Sequence, residues 1–102
     1  AKESSYSGYD HIMHGVTVEN QAWADKRMPE LLTVPGKRVI SMEPLLGLVN
    51  VAPWLARLDL VIVGGENGKN ARHMNHEWKH DIEQQCINAG VKFFFKGWGS
   101  AK

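Results

Sequence analysis

The 102 residues contain a single cysteine, Cys86, which excludes an intramolecular disulfide and any cysteine-only zinc or iron–sulfur site built from this chain alone. No apolar run approaches the roughly 18 residues that a membrane-spanning helix requires, and no charged-then-apolar leader opens the chain. These absences predict a soluble protein of the reducing cytoplasm. An excess of one charge is lacking too. Twelve Lys and Arg against eleven Asp and Glu, interspersed, leave a formal charge of +1, which is no electrostatic signature for nucleic acid. With 43% hydrophobic residues the length suits one domain with a modest core. The small, polar opening "AKESSYSGYD" reads as a frayed or processed end, so residues 1–11 are expected to be a flexible segment and 12–102 a single α/β domain.

Four β-prone runs alternate with helical or irregular segments. "IMHGVTV" (12–18), "RVISM" (38–42), "LDLVIVG" (58–64) and "VKFFFK" (91–96) read as strands. The third, continuously apolar, is expected to be covered on both faces. Asn20 can cap a helix with apolar positions Ala22, Trp23, Met28, Leu31 and Leu32. Pro29 inside it predicts a break near Met28 and a second short helix to about Val34. "LLGLVNVAPWLARL" is too irregular for a full crossover helix, but Pro53 suits the start of a short turn through Trp54 and Leu55. The clearest helix runs over 76–89, with Asn75 as its cap, Trp78, Ile82, Cys86 and Ala89 as its stripe, and Gly90 at its end. The resulting order, β-α-β-α-β-α-β, predicts a four-stranded parallel sheet.

A carboxylate recurs where the strands end. Glu19, Glu43 and Glu66 each follow a strand run, and Lys96 closes the fourth. Loops after parallel strands gather at one edge, where ligands bind, so these four residues are expected to surround one mouth. Neighbouring strands lie about 4.8 Å apart, close enough for gathered carboxylates to raise one another's pKa while a lysine offsets this. Such a set could hold an ammonium, ribose hydroxyls or a hard cation with its water. Gly64 and Gly65 would let a ligand approach the backbone. The plainer role stands beside this one: glutamates after strands also cap helices, bind backbone amides or pair with Lys and Arg.

"HEWKH" (76–80) matches the H-E-x-x-H zinc motif. On the predicted helix, however, His76 and His80 lie roughly 140° from the apolar stripe and should face solvent rather than a cleft, with only His73 or Glu83 as further ligands. No metal site is assigned. His11 and His14 flank the first strand and suit structural positions. Arg72 could bind an anion at the mouth or form a surface ion pair. Trp98 could wall a ligand, whereas Trp23, Trp54 and Trp78 read as core, and Cys86 as a small buried hydrophobe.

Taken together, "GVTVENQAWADKRMPELL", "SMEPLLG", "LDLVIVGGENG", "ARHM" and "GVKFFFKGWG" resemble the C-terminal part of the phage gene-product-37 and gene-product-68 family, proteins similar to radical-SAM enzymes. The resemblance implies half of a TIM-like (β/α) barrel, whose N-terminal portion would carry a CxxxCxxC motif for a [4Fe-4S] centre and S-adenosylmethionine. This chain has no such motif, so no cofactor is assigned to it, and alone it is expected to be inactive. The resemblance places Glu19, Glu43, Gly64, Gly65, Glu66 and Lys96 as ligand-binding residues at the barrel mouth. Half a barrel leaves two open edges and a bare inner face, which predicts a homodimer or dependence on the missing N-terminal barrel half. A self-associating interaction module without a small-molecule site and a zinc-dependent hydrolase built on HEWKH are the alternatives.

Overall fold

In the computed structural model residues 13–100 are described; the opening segment expected over 1–11, His11 and Ile12 lie outside the described residues. Seven elements follow in order: β1 (Met13–Thr17), α1 (Gln21–Leu31), β2 (Lys37–Met42), α2 (Ala52–Leu55), β3 (Leu60–Gly64), α3 (His76–Ala89) and β4 (Lys92–Gly97). The alternation yields the α/β, all-parallel sheet that the sequence predicts, with strand order β1-β2-β3-β4.

Local chemistry sets the helix ends. The Asn20 side chain accepts a hydrogen bond from the Trp23 N–H at 3.1 Å, and the Asn75 side chain accepts one from Glu77 N–H at 2.8 Å, each satisfying a donor that the first helical turn leaves free. Gly90 closes α3 in the left-handed region at φ 71°, where a Cβ would be strained. The break expected at Pro29 does not occur: α1 runs through it to Leu31. The proline falls in the last turn, so the ladder loses one bond just before it would end anyway. Beyond it the chain tightens through Thr33 N–H to Glu30 O and Val34 N–H to Leu31 O, both spanning three residues, instead of starting a second helix.

One face of the sheet carries the core. Val18, Ile40, Met42, Val61 and Val63 are buried against Ala24, Met28 and Leu31 of α1, Leu55 of α2, and Ile82 and Cys86 of α3, with Phe93 and Phe95 packed at the side. Burial, and secondarily the nearby Glu83 charge, push the Cys86 thiol up to about 11, which suits a small hydrophobe rather than a nucleophile. Trp54 and Trp78 pack on this core, but Trp23 does not. It lies 38% exposed, with the Arg27 guanidinium 4.2 Å from its ring centroid, because the buried line of α1 is Ala24, Met28 and Leu31, at helical spacing one residue away.

Among the described residues the opposite face has no helix. Each crossover steps one strand in the same direction, and crossovers of one hand then set all helices on one side. The expectation that β3 is covered on both faces is therefore corrected: Val61 and Val63 are buried, whereas Leu60 and Ile62, pointing the other way, are only half-buried. On the same open face the register aligns Thr17, Ser41, Ile62 and Phe94 in one row across the four strands. Phe94 is 56% exposed.

Candidate ligand-binding mouth

The next row toward the C-terminal edge brings Glu43 and Lys96 together, whereas Glu19 and Glu66 each pair with a different cation. Glu43 directly follows β2, two residues beyond Ser41 and so on the same open face. Its carboxylate is held at both oxygens: Ser41 Oγ donates to Oε1 at 2.9 Å, and Lys96 Nζ lies 2.9 Å from Oε2. This ion pair joins β2 to β4 across the intervening β3. Two features make the reach possible. Lys96 lies two residues beyond Phe94 and so faces the same side, where it is the extra residue of a register slip, Val63 pairing with Phe95 but Gly64 with Gly97. Gly64 itself leaves room, since a Cβ there would come 3.1 Å from Glu43 Oε2 and 3.2 Å from its Cγ.

Each of the other two glutamates also has its own cation. Glu66 binds Arg72 as a fork, accepting from Nε at 2.8 Å and from Nη2 at 2.7 Å, and its Oε1 takes the Arg72 backbone N–H at 2.8 Å as well. Hydrogen bonds from that side chain and backbone, with the guanidinium charge, lower its pKa from the ordinary 4.5 to about 2. Crowding of carboxylates therefore does not raise the pKa here as expected. Arg72 is pushed up in turn, chiefly by its hydrogen bonds to Glu66 and that carboxylate's charge. Because the folded pKa of Glu66 is depressed, the pair contributes in full above about 4.5 and is lost as pH falls through about 2. A carboxyl carbon titration by NMR should show Glu66 still ionised at pH 3; a midpoint near 4.5 would mean the fork is absent in solution.

Glu19 is the least satisfied of the three. Its nearest cation, Arg27 Nη1, stands 3.7 Å away, too far for a hydrogen bond, while the same Arg27 donates to the Thr17 carbonyl. Glu19 Oε1 is sealed from solvent with no hydrogen-bond partner among the described residues.

Gly65 serves the scaffold. A Cβ on it would lie 1.9 Å from the Trp98 carbonyl oxygen, and one on Gly99 would lie 2.4 Å from the Glu66 carbonyl oxygen. The loops after β3 and β4 thus cross backbone on backbone, tied by Gly65 N–H to Gly97 O and Ser100 N–H to Glu66 O, both 2.9 Å. Trp98 has one face stacked on His76 at 4.0 Å and meets the edge of Phe95 at 4.7 Å.

His76 and His80 are exposed, as helix geometry predicts, yet they do line a cleft: an open groove of about 420 Å³ between the start of α3 and Leu48 of the β2–α2 loop, with Glu77, Asp81 and Gln84. Among the described residues no three of His, Cys, Asp and Glu stand together to hold a metal ion, so HEWKH lacks the third ligand that a catalytic zinc needs. Likewise, among these residues no helix is long and apolar enough to cross a membrane.

Sequence reasoning missed two participants. Ser41 was legible from alternation, two residues before Glu43 on one face. Arg27 carried no such signal, since its approach to Glu19 depends on how α1 folds back over β1. No curated protein and no solved structure matches this chain. A family model described as "Protein of unknown function (DUF5131)" matches residues 2–102, and with essentially its whole length covered, the chain belongs to the DUF5131 family.

Proposed function

We propose that this domain forms half of a closed parallel (β/α) barrel and that its strand-end row is the ligand mouth. The observation that carries the reading is the strand order β1-β2-β3-β4 with every helix on one face. This is the arrangement of consecutive barrel units, and among the described residues it leaves the inner face and both edges open to complementary strands. A homodimer, or another half-barrel, would close it. The resemblance to the phage gene-product, radical-SAM-like proteins points the same way. An iron–sulfur cluster does not fit the residues present: the one cysteine lies on the core side of α3 with a thiol held protonated by burial. Cluster chemistry would have to come from the other half, so this half alone is inactive.

Glu19, Glu43, Glu66 and Lys96 would surround the adenosyl ligand or substrate, while the space at Gly64 and Gly65, expected to admit a ligand, is taken by the Glu43 side chain and the Trp98 carbonyl. Lys96 is 55% exposed on its side chain and retains two N–H donors beyond Glu43 for a carboxylate, phosphate or hydroxyl. The Glu19 side chain is 29% exposed, so its carboxylate can accept from an ammonium or hydroxyl. Calorimetric titration with S-adenosylmethionine tests the reading. Saturable binding is expected, weakened on the order of tenfold by Glu43→Gln through loss of a charge-assisted hydrogen bond, with the circular dichroism unchanged. No saturable heat in the wild type, or equal affinity in the variant, contradicts it.

A second reading, an interaction module without a small-molecule site, draws on the fact that all three glutamates already face a cation of the chain. Under it, Glu43→Gln alters stability and nothing else.

A further inference from the structure

The loop after β3 brings an unusually reactive dipeptide against a hydroxyl. Asn67 and Gly68 are both exposed. In such a pair the backbone nitrogen can attack the preceding side-chain amide with least hindrance, because glycine carries no Cβ. The Gly68 N–H donates to Ser100 Oγ at 3.2 Å, and the Ser100 hydroxyl donates to Asn67 Oδ1 at 3.2 Å. A single hydroxyl, able to accept and donate at once, thus bridges the nucleophile and the oxygen of its electrophile. Ser100 is fixed there by its own N–H bond to Glu66 O at 2.9 Å and by Gly99 before it at φ 86°.

We propose that Asn67 is a self-deamidating modification site and that Ser100 is its proton relay. The Gly68 nitrogen bonds to Asn67 Cγ as its proton passes to Ser100 Oγ, while the Ser100 proton passes to Oδ1. The Cγ–N bond to the side-chain amino group then breaks. The Oδ1 proton leaves with that group as ammonia, and the carbonyl re-forms within a five-membered succinimide. Water opens either ring C–N bond, giving aspartate or isoaspartate at position 67. No oxidant or reductant is needed. The product adds a negative charge beside Glu66 and, in the isoaspartyl form, a main-chain methylene in the segment that holds the β3 and β4 loops together.

The test is peptide mapping of the purified chain during incubation at mildly alkaline pH, scoring the gain of about one dalton and isoaspartate at position 67. Native wild type, urea-denatured wild type, Ser100→Ala and Ser100→Thr are compared. The native chain should react on the order of tenfold faster than the denatured chain, a modest share of what positioned proton transfer supplies. Ser100→Ala should fall to the denatured rate or below, and Ser100→Thr should retain most of the acceleration. A native rate equal to or slower than the denatured one overturns the proposal without recourse to any variant. So does a folded Ser100→Ala that reacts like wild type.

Discussion

Gly65→Ala is expected to destabilise the fold by about 3 kcal/mol, the upper range for overpacking, and to lower the melting temperature by roughly 12–24 °C for a domain of this size. The new methyl would stand 1.9 Å from the Trp98 carbonyl oxygen and 2.4 Å from its carbon. Those atoms are backbone and cannot swing aside. Relief requires parting the loops after β3 and β4, which breaks Gly65 N–H to Gly97 O and Ser100 N–H to Glu66 O together. Gly64→Ala is the milder control, since the three atoms nearest its methyl belong to the Glu43 side chain, at 3.1 Å and beyond. It should shift that carboxylate off Lys96 at little cost in stability. Thermal denaturation of the two variants side by side checks the argument. A melting temperature for Gly65→Ala within a few degrees of wild type would mean that the loops do not cross as described.

The second large effect concerns the open face. Phe94→Asp should leave the isolated domain nearly as stable as wild type, because the ring is more than half exposed and surface changes cost little. It should nevertheless weaken association on the order of a hundredfold or more, since barrel closure would bury an unpaired carboxylate in the inner row beside Ile62. Chemical denaturation at low protein concentration reads the first quantity and gel filtration across a dilution series the second. Equal loss of both would place Phe94 in the monomer's own core.

Much of this architecture was legible in the sequence because short-range signals decided it. Asn75 and Gly90 bracket α3 at both ends, and the Val- and Ile-rich run after Asp59 could hardly be other than a strand. Pro29 misled because its effect depends on its distance from the helix end, which tertiary packing of Met28 and Leu31 sets. Trp23 misled for a related reason: a one-residue rotation of the buried line turns a core position into a surface one. At the mouth, the sequence could place three glutamates and a lysine at strand ends, but not pair them. The Glu43–Lys96 contact spans the intervening strand β3 through the gap left by the missing Gly64 side chain, and that adjacency does not appear without the sheet. The two-sided burial expected for β3 failed on topology. The apolar run was real, but among the described residues no element covers the face to which Leu60 and Ile62 point.

The half-barrel reading stands or falls on that face. Sedimentation equilibrium of the purified chain over a wide concentration range measures it directly. The account predicts reversible self-association to a closed assembly, lost in Phe94→Asp. A well-folded wild-type monomer at every concentration would contradict closure by a second copy, and with it the mouth as a site this chain can complete by itself.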